Sequence, residues 1–299
     1  MSEDRTLQTS GLTFGYREYG SKDGVPVLLL HGFPDAANAW DPLIDLLQPV
    51  KRKLRVFALS VRGYGHTVIT QENLVSGEVA ALANDVLVFA NATGLDRFMI
   101  VGHDWGAMAG YAVSVLAPQK VIGLLALSSP YEMFGGRELP PAQVQCFWYQ
   151  WYFQTAEGGR ALRANAEDLC RHIWGAWSPH WRFSSREFAH TAAHWKNPQF
   201  AEIVLNSYRK RWGFALGKPA YAAQGAMLDS MPKPKVSVPT VFGYGTDDHC
   251  VMPEASEEQK RLFTGSYERV AIKEAGHFPH REDPKAVLKL FERLLKRVR

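Results

Sequence analysis

Five residues near the middle of the chain have the types and spacing of a nucleophile turn, Gly102-His103-Asp104-Trp105-Gly106. A tight strand-to-helix turn needs residues without side-chain bulk on both sides of a nucleophile that is held clear of the sheet. A serine usually occupies the central position. A carboxylate at that position attacks to form an ester on the protein, so Asp104 changes the chemistry that we expect. The alternative interpretation is a glycine-rich turn in which the aspartate caps a helix.

Further polar groups follow apolar runs, where strands are expected to end. His31-Gly32-Phe33-Pro34 follows the apolar run 25–30, two aspartates at 247 and 248 follow the run 240–244, and Gly276-His277 follows the run 270–272. Functional groups of open α/β sheets collect at the carboxyl ends of parallel strands. The order nucleophile, acid, histidine is that of an α/β-hydrolase triad.

These residue types suggest one role each. Asp104 is the candidate nucleophile, and His277 is the candidate general base that takes a proton from water, because imidazole titrates near neutral pH. Asp247 and Asp248 compete for the acid that orients the histidine. Asp248 is favoured because it lies three residues after Gly245, which matches a common G-x-x-D ending.

Water attacking an ester creates an oxyanion, which backbone N–H groups stabilise. The residue after the nucleophile, Trp105, is predicted to supply one such group and Phe33 the other.

The elements around these residues alternate between apolar runs and helical patterns, which predicts an α/β fold with a mostly parallel sheet. The strand rhythm stops near Pro130 and resumes near 240, and seven of the nine tryptophans lie between. We therefore predict a core domain of residues 1–130 and 231–299 with an inserted, mostly helical cap at 131–230. A capping box at Ser256 predicts a helix to Phe263, and Asp283-Pro284 is expected to cap the last helix.

Composition limits the function classes. The 299 residues are 46% hydrophobic and 21% charged, with a net charge of +4, which indicates a folded globular protein rather than a nucleic-acid or membrane binder. The basic residues near the C-terminus, including Arg299, alternate with apolar ones and are expected to form the solvated face of a docked helix. The N-terminus is polar and unlike a signal peptide, no apolar run approaches a membrane span, and the three cysteines lack metal spacing. We expect a cytoplasmic protein without a metal.

The chain resembles the epoxide hydrolases of the α/β-hydrolase superfamily along nearly its whole length. The resemblance is carried by the nucleophile motif, by His31-Gly32-Phe33-Pro34, by Arg62-Gly63-Tyr64-Gly65, and by Gly276-His277-Phe278 with Glu282 and Pro284. It implies an eight-stranded, mostly parallel sheet, a cis Phe33–Pro34 peptide, a small apolar epoxide and water as substrates, no cofactor, and a monomer or homodimer.

The resemblance also implies two cap tyrosines that hydrogen-bond the epoxide oxygen and protonate it. Residues 149–154 are similar to the segment that carries the first, which makes Tyr149 the acid and Tyr152 its nearest rival. Ser207-Tyr208-Arg209 is similar to the second, which makes Tyr208 the partner. Trp151 and Tyr152, together with Phe33 and Trp105, are expected to contact substrate. Packing residues with satisfied hydroxyls are the alternative interpretation of the cap tyrosines.

Two other functions remain open from the sequence. A haloalkane dehalogenase shares the aspartate, the histidine and a tryptophan after the nucleophile, but enzymes of that type usually place a side-chain N–H donor where this chain has Phe33. A non-catalytic ligand-binding homologue is disfavoured because the triad is complete.

Overall fold

The computed structural model describes residues 4–48 and 53–298, so Met1 to Glu3 and Arg299 lie outside the described residues. Its strands are β1 (Arg5–Gln8), β2 (Leu12–Gly20), β3 (Val25–Leu30), β4 (Leu54–Leu59), β5 (Val68–Ile69), β6 (Phe98–His103), β7 (Val121–Leu127), β8 (Thr240–Gly245) and β9 (Tyr267–Ile272). Its α-helices are α1 (Asp41–Leu46), α2 (Val79–Ala92), α3 (Trp105–Leu116), α4 (Pro141–Cys146), α5 (Trp148–Tyr152), α6 (Ala156–Ala164), α7 (Ala166–Trp177), α8 (Ser185–Ala192), α9 (Phe200–Arg211), α10 (Ala222–Leu228), α11 (Pro279–Glu282) and α12 (Pro284–Arg297).

All strands belong to one sheet, whose main path runs β1-β2-β4-β3-β6-β7-β8-β9. The pairs β1·β2 and β2·β4 are antiparallel, and the remaining pairs along this path are parallel. The short strand β5 pairs with β2 beside this path. The predicted eight-stranded, mostly parallel α/β sheet is confirmed, with one two-residue strand added to it.

The central strands are apolar throughout because helices cover both faces of the sheet. In β3, Leu28 packs into the core on the side of α2 and α3, whereas its neighbour Val27 packs on the side of α1 and α12. Successive residues of a strand point to opposite faces, so burial of both rows explains the continuous apolar run.

Helix α12 covers the face of the sheet to which Val27 points. Val287, Leu290, Phe291 and Leu294 are buried at helical spacing. The Asp283 carboxylate accepts a hydrogen bond from the amide of Ala286 at 2.9 Å, so the predicted cap of this helix is confirmed.

The predicted cap, residues 131–230, contains α4 to α10 and no strand, and it lies between β7 and β8. The division of the chain into two domains at these boundaries stays a prediction. None of the helices in the described ranges is both long and apolar enough to cross a bilayer.

The helix predicted from Ser256 to Phe263 is wrong. Two short 3₁₀ turns, Pro253–Ser256 and Gln259–Leu262, stand there instead. Glu258 between them has φ of 58°, a left-handed conformation that interrupts a helix. The buried Gln259 side chain does not cap a helix but accepts a hydrogen bond from the amide of Glu132 at 3.1 Å.

Candidate active site

Asp104 sits on the turn between β6 and α3, with φ of 50° and ψ of −113°. Non-glycine residues rarely adopt such a conformation, and holding one there costs about 1–3 kcal/mol. The flanking glycines make the turn possible: a Cβ on Gly102 would lie 2.2 Å from the carbonyl oxygen of Gly106, and one on Gly106 would lie 2.0 Å from that of Leu30. The two glycine positions of this turn therefore cannot accept a side chain.

Two backbone amides face the Asp104 carboxylate. The Phe33 amide donates a hydrogen bond to Oδ1 at 2.9 Å, and the Trp105 amide helps to lower the pKa of the same carboxyl group. The loop that carries Phe33 approaches closely because residue 32 is glycine, where a Cβ would lie 2.3 Å from Asp104 Oδ1. The Phe33–Pro34 peptide is cis, as predicted. The amide groups of Phe33 and Trp105 therefore both lie beside the Asp104 carboxylate.

His277 follows β9 and lies fully buried between two carboxylates. Its Nδ1 is 2.9 Å from Oδ2 of Asp248, and its Nε2 is 3.9 Å from Oδ2 of Asp104. The other Asp248 oxygen, Oδ1, accepts hydrogen bonds from the amides of Cys250 and Val251 at 2.8 and 2.9 Å. These bonds fix the Asp248 carboxylate toward the imidazole, and Nε2 has no hydrogen-bond partner in the described part of the chain.

The charges of the site act on each other. Burial raises the pKa of Asp104, while His277 and the Phe33 amide oppose that rise. Burial lowers the pKa of His277, but the Asp248 and Asp104 carboxylates outweigh it, so the pKa is raised above its ordinary value. The two carboxylates therefore make His277 a stronger base than an equally buried imidazole without them.

Tyr149 on α5 and Tyr208 on α9 lie side by side over Phe33. Their ring centroids are 5.3 Å apart, and the Phe33 ring lies 6.1 Å from that of Tyr149 and 5.6 Å from that of Tyr208. The Tyr149 hydroxyl accepts a hydrogen bond from Nε2 of Gln150 at 2.8 Å, whereas the buried Tyr208 hydroxyl has no hydrogen bond of ordinary geometry to a described residue. Burial raises the pKa of both phenols well above the ordinary value, so both keep their protons at neutral pH.

Trp151 and Tyr152 lie away from this cluster. The Trp151 ring packs on Trp212 at 4.4 Å, and Tyr152 packs near Trp148. Tyr149 and Phe153, four residues apart, share the face of α5 that meets Phe33, and residues two and three positions after Tyr149 point elsewhere.

The aromatic wall of the site contains residues that the sequence analysis did not single out. Phe153, Trp177 and Phe200 pack around Phe33 at ring distances of 6.0, 6.2 and 6.4 Å. Aromatic cap residues pack in many contexts, so the sequence offers no signal that separates these rings from the other cap aromatics.

A second buried polar cluster lies beneath the site. Asp35 is paired with Arg281 at 2.6 Å and with His280 at 2.9 Å. Arg281 also donates to Glu187 and Thr191 of α8. His280, three residues after His277, is thus held by Asp35. Because partners 245 residues apart leave no local pattern, sequence reasoning missed this cluster.

Asp35, His103 and His280 bring potential metal-ligand atoms within 4.8 Å of one another. The Arg281 guanidinium already neutralises the Asp35 carboxylate from 2.6 Å. A divalent cation would meet that fixed positive charge, so this cluster does not fit a metal site.

The arrangement combines a buried carboxylate, two amides directed at it, a histidine oriented by a second carboxylate, and two protonated phenols. Such a set is able to form an ester on the carboxylate and to hydrolyse it.

Comparison with known proteins agrees with this geometry. The sequence model of the family described as alpha/beta hydrolase fold matches residues 25–284. The AB hydrolase superfamily protein YfhM of Bacillus subtilis is 26% identical over 97% of this chain and 96% of its own length. Human epoxide hydrolase 4 is 27% identical over 97% of this chain and 77% of its own length. A crystal structure of a Klebsiella pneumoniae protein provisionally named an epoxide hydrolase has a TM-score of 0.90 and 31% identity, and it covers 98% of this chain and 97% of its own.

Proposed function

Because the chain belongs to the α/β-hydrolase fold family, we propose that it is an epoxide hydrolase that converts an epoxide and water into a vicinal diol. The observation that carries the proposal is the pairing of an aspartate at the nucleophile turn with two buried tyrosines that meet the same Phe33 ring. The names of the relatives point the same way.

In the first step, Oδ2 of Asp104 attacks a ring carbon of the epoxide. A bond forms between Oδ2 and that carbon, and the bond from the carbon to the ring oxygen breaks. The ring oxygen leaves as an alkoxide that takes a proton from Tyr149 or Tyr208. Protonated phenols are needed because an alkoxide is a poor leaving group without a proton donor, and burial keeps both tyrosines protonated.

In the second step, water attacks the carbonyl carbon of the ester. His277 takes one water proton at Nε2, which faces Asp104 from 3.9 Å, and Asp248 stabilises the resulting imidazolium. The amides of Phe33 and Trp105 hold the oxyanion on Oδ1. The ester bond then breaks, the diol leaves with a proton from His277, and the carboxyl proton on Asp104 restores the tyrosine.

A single turnover in ¹⁸O-water tests the covalent route. The first diol should contain unlabelled oxygen from Asp104. Direct attack by solvent would instead place ¹⁸O in that diol, which would contradict the proposed covalent route. The His277→Gln variant should accumulate the ester, which peptide mass spectrometry detects as an adduct on the peptide containing Asp104. An unmodified peptide after incubation with an epoxide that the wild type converts would contradict the assigned base.

One observation favours a second candidate, a haloalkane dehalogenase. The indole N–H groups of Trp105 and Trp177 are buried without a hydrogen-bond acceptor among the described residues, and such donors suit a leaving halide. The buried tyrosine pair favours epoxides, because a halide needs no proton to leave. Measuring halide release beside diol formation separates the two functions.

A further inference from the structure

A cavity of about 350 Å³ lies outside the catalytic cluster, where α3, α9, α10 and the segment after β7 meet. Met108, Ser207 and Arg211 form its boundary toward the site. The Met108 amide donates to the Asp104 carbonyl oxygen at 3.0 Å, so Met108 lies one helical turn beyond the nucleophile. Ser207 precedes Tyr208, and Arg211 lies three residues after it on the same helix.

Arg211 is a cation at this boundary without a carboxylate partner within 4.0 Å in the described ranges. Its guanidinium lies 5.1 Å from the Tyr208 ring centroid, and Nη2 is 3.3 Å from the Met108 sulfur. Sulfur is a weak hydrogen-bond acceptor, so the five N–H donors of this guanidinium have no strong acceptor among the described residues. Its charge also acts at Asp104, where it opposes the rise in pKa that burial causes.

The other charged groups of the cavity have partners. Lys210 faces Asp229 at 4.0 Å, and the Lys233 ammonium lies 4.5 Å from the Tyr131 ring centroid. Glu132 is paired with Arg261. Arg211 is therefore the group of this wall best placed to take an anion, and a guanidinium matches the planar geometry of a carboxylate.

We infer that Arg211 selects compact epoxides that carry a carboxylate, with the carboxylate in this cavity and the epoxide ring at Asp104. Met108 lies four positions after Asp104, a backbone rise of about 6 Å along the helix, so a substrate of a few carbons is expected to reach from the nucleophile to this boundary. Tyr111 and Ala112 line the cavity one helical turn beyond Met108. The inference rests on the proposed epoxide hydrolysis and names the substrate class for it.

The test compares a terminal epoxy derivative of hexanoate with its neutral amide. A charge-assisted hydrogen bond contributes about 1.5–3 kcal/mol, so Arg211→Gln should lower kcat/KM for the acid by about 10- to 150-fold more than for the amide, which has no carboxylate to lose contact with Arg211. Arg211→Lys should recover part of the loss. Arg160→Gln removes one positive charge from the exposed side of the cap and should leave both substrates unaffected.

An equal loss on both substrates in Arg211→Gln would overturn the inference, because it would mean that Arg211 acts through Tyr208 or Asp104. Hydrolysis of neither compound by the wild type would count against the proposed function instead. In that case calorimetric titration of hexanoate and hexanamide tests Arg211 alone: hexanoate should bind at least about 10-fold more weakly to Arg211→Gln than to the wild type. Unchanged hexanoate affinity would overturn the carboxylate site.

Discussion

Replacing Tyr208 with phenylalanine separates the chemistry of its hydroxyl from the packing of its ring. The ring contacts Phe33, Trp105 and Tyr149, and phenylalanine retains those contacts. The hydroxyl is buried without a hydrogen bond of ordinary geometry to a described residue. A buried unsatisfied polar group costs about 1–3 kcal/mol, so the free energy of unfolding should stay the same or rise by up to that amount.

The same substitution should slow ester formation strongly. The leaving alkoxide would keep one phenol of two, and loss of a preorganised donor of this kind typically costs about 10²–10³ in rate, or roughly 2.7–4 kcal/mol. Rapid-quench measurement of the ester on Asp104 gives this rate, and urea unfolding gives the stability. Hydrolysis of the preformed ester should be nearly unchanged, because that step uses His277.

Tyr149→Phe is expected to differ in one respect. It should slow ester formation similarly, but it leaves the buried Nε2 of Gln150 without its acceptor, which should lower the free energy of unfolding by about 1–3 kcal/mol. Tyr152→Phe is the control, because its ring lies on another face of α5. Ester formation at the wild-type rate in Tyr208→Phe, or a large loss in Tyr152→Phe, would refute the assignment of the acids.

Two further predictions concern buried charges. Asp35→Asn breaks the pair with Arg281 and should lower the free energy of unfolding by about 3–5 kcal/mol in urea titrations at neutral pH. Burial opposes the ionisation of Asp35, but Arg281 and His280 hold its pKa below the ordinary value. This contribution should therefore be complete above about pH 4 and be lost progressively as the pH falls below that value; an equal loss at all pH values would contradict the pair. Asp104→Asn removes a carboxylate that raises the pKa of His277, so NMR titration should find that pKa lower than in the wild type. An unchanged pKa would mean that the two groups do not interact.

The parts of the molecule that the sequence predicted best have local signatures. Continuous apolar runs predicted the buried strands, and Gly102 and Gly106 predicted the turn at Asp104, because the turn leaves no room for a Cβ. The preference for Asp248 over Asp247 agrees with the position of His277 Nδ1, 2.9 Å from Asp248. The catalytic roles of these residues stay a proposal.

The parts that could not be predicted depend on contacts between distant segments. The capping box at Ser256 predicts a helix start, yet the Gln259 side chain accepts a hydrogen bond from Glu132 of the segment after β7. Asp35 and Arg281 carry no motif that pairs them across the chain. A local pattern cannot show which of two distant partners a polar side chain will choose, and buried polar groups make that choice when the fold is complete.

Because the Phe33 amide binds Oδ1, the two carboxylate oxygens of Asp104 take different parts in the proposed reaction. Oδ1 accepts from this amide at 2.9 Å in the free protein, becomes the ester carbonyl oxygen, and then carries the oxyanion, so it remains with the protein. Oδ2 departs in the diol and is replaced by an atom from solvent. In each cycle of the proposed reaction the protein thus replaces one oxygen atom of its own nucleophile, Oδ2, and keeps the other, Oδ1, although the two oxygens of a free carboxylate are chemically equivalent.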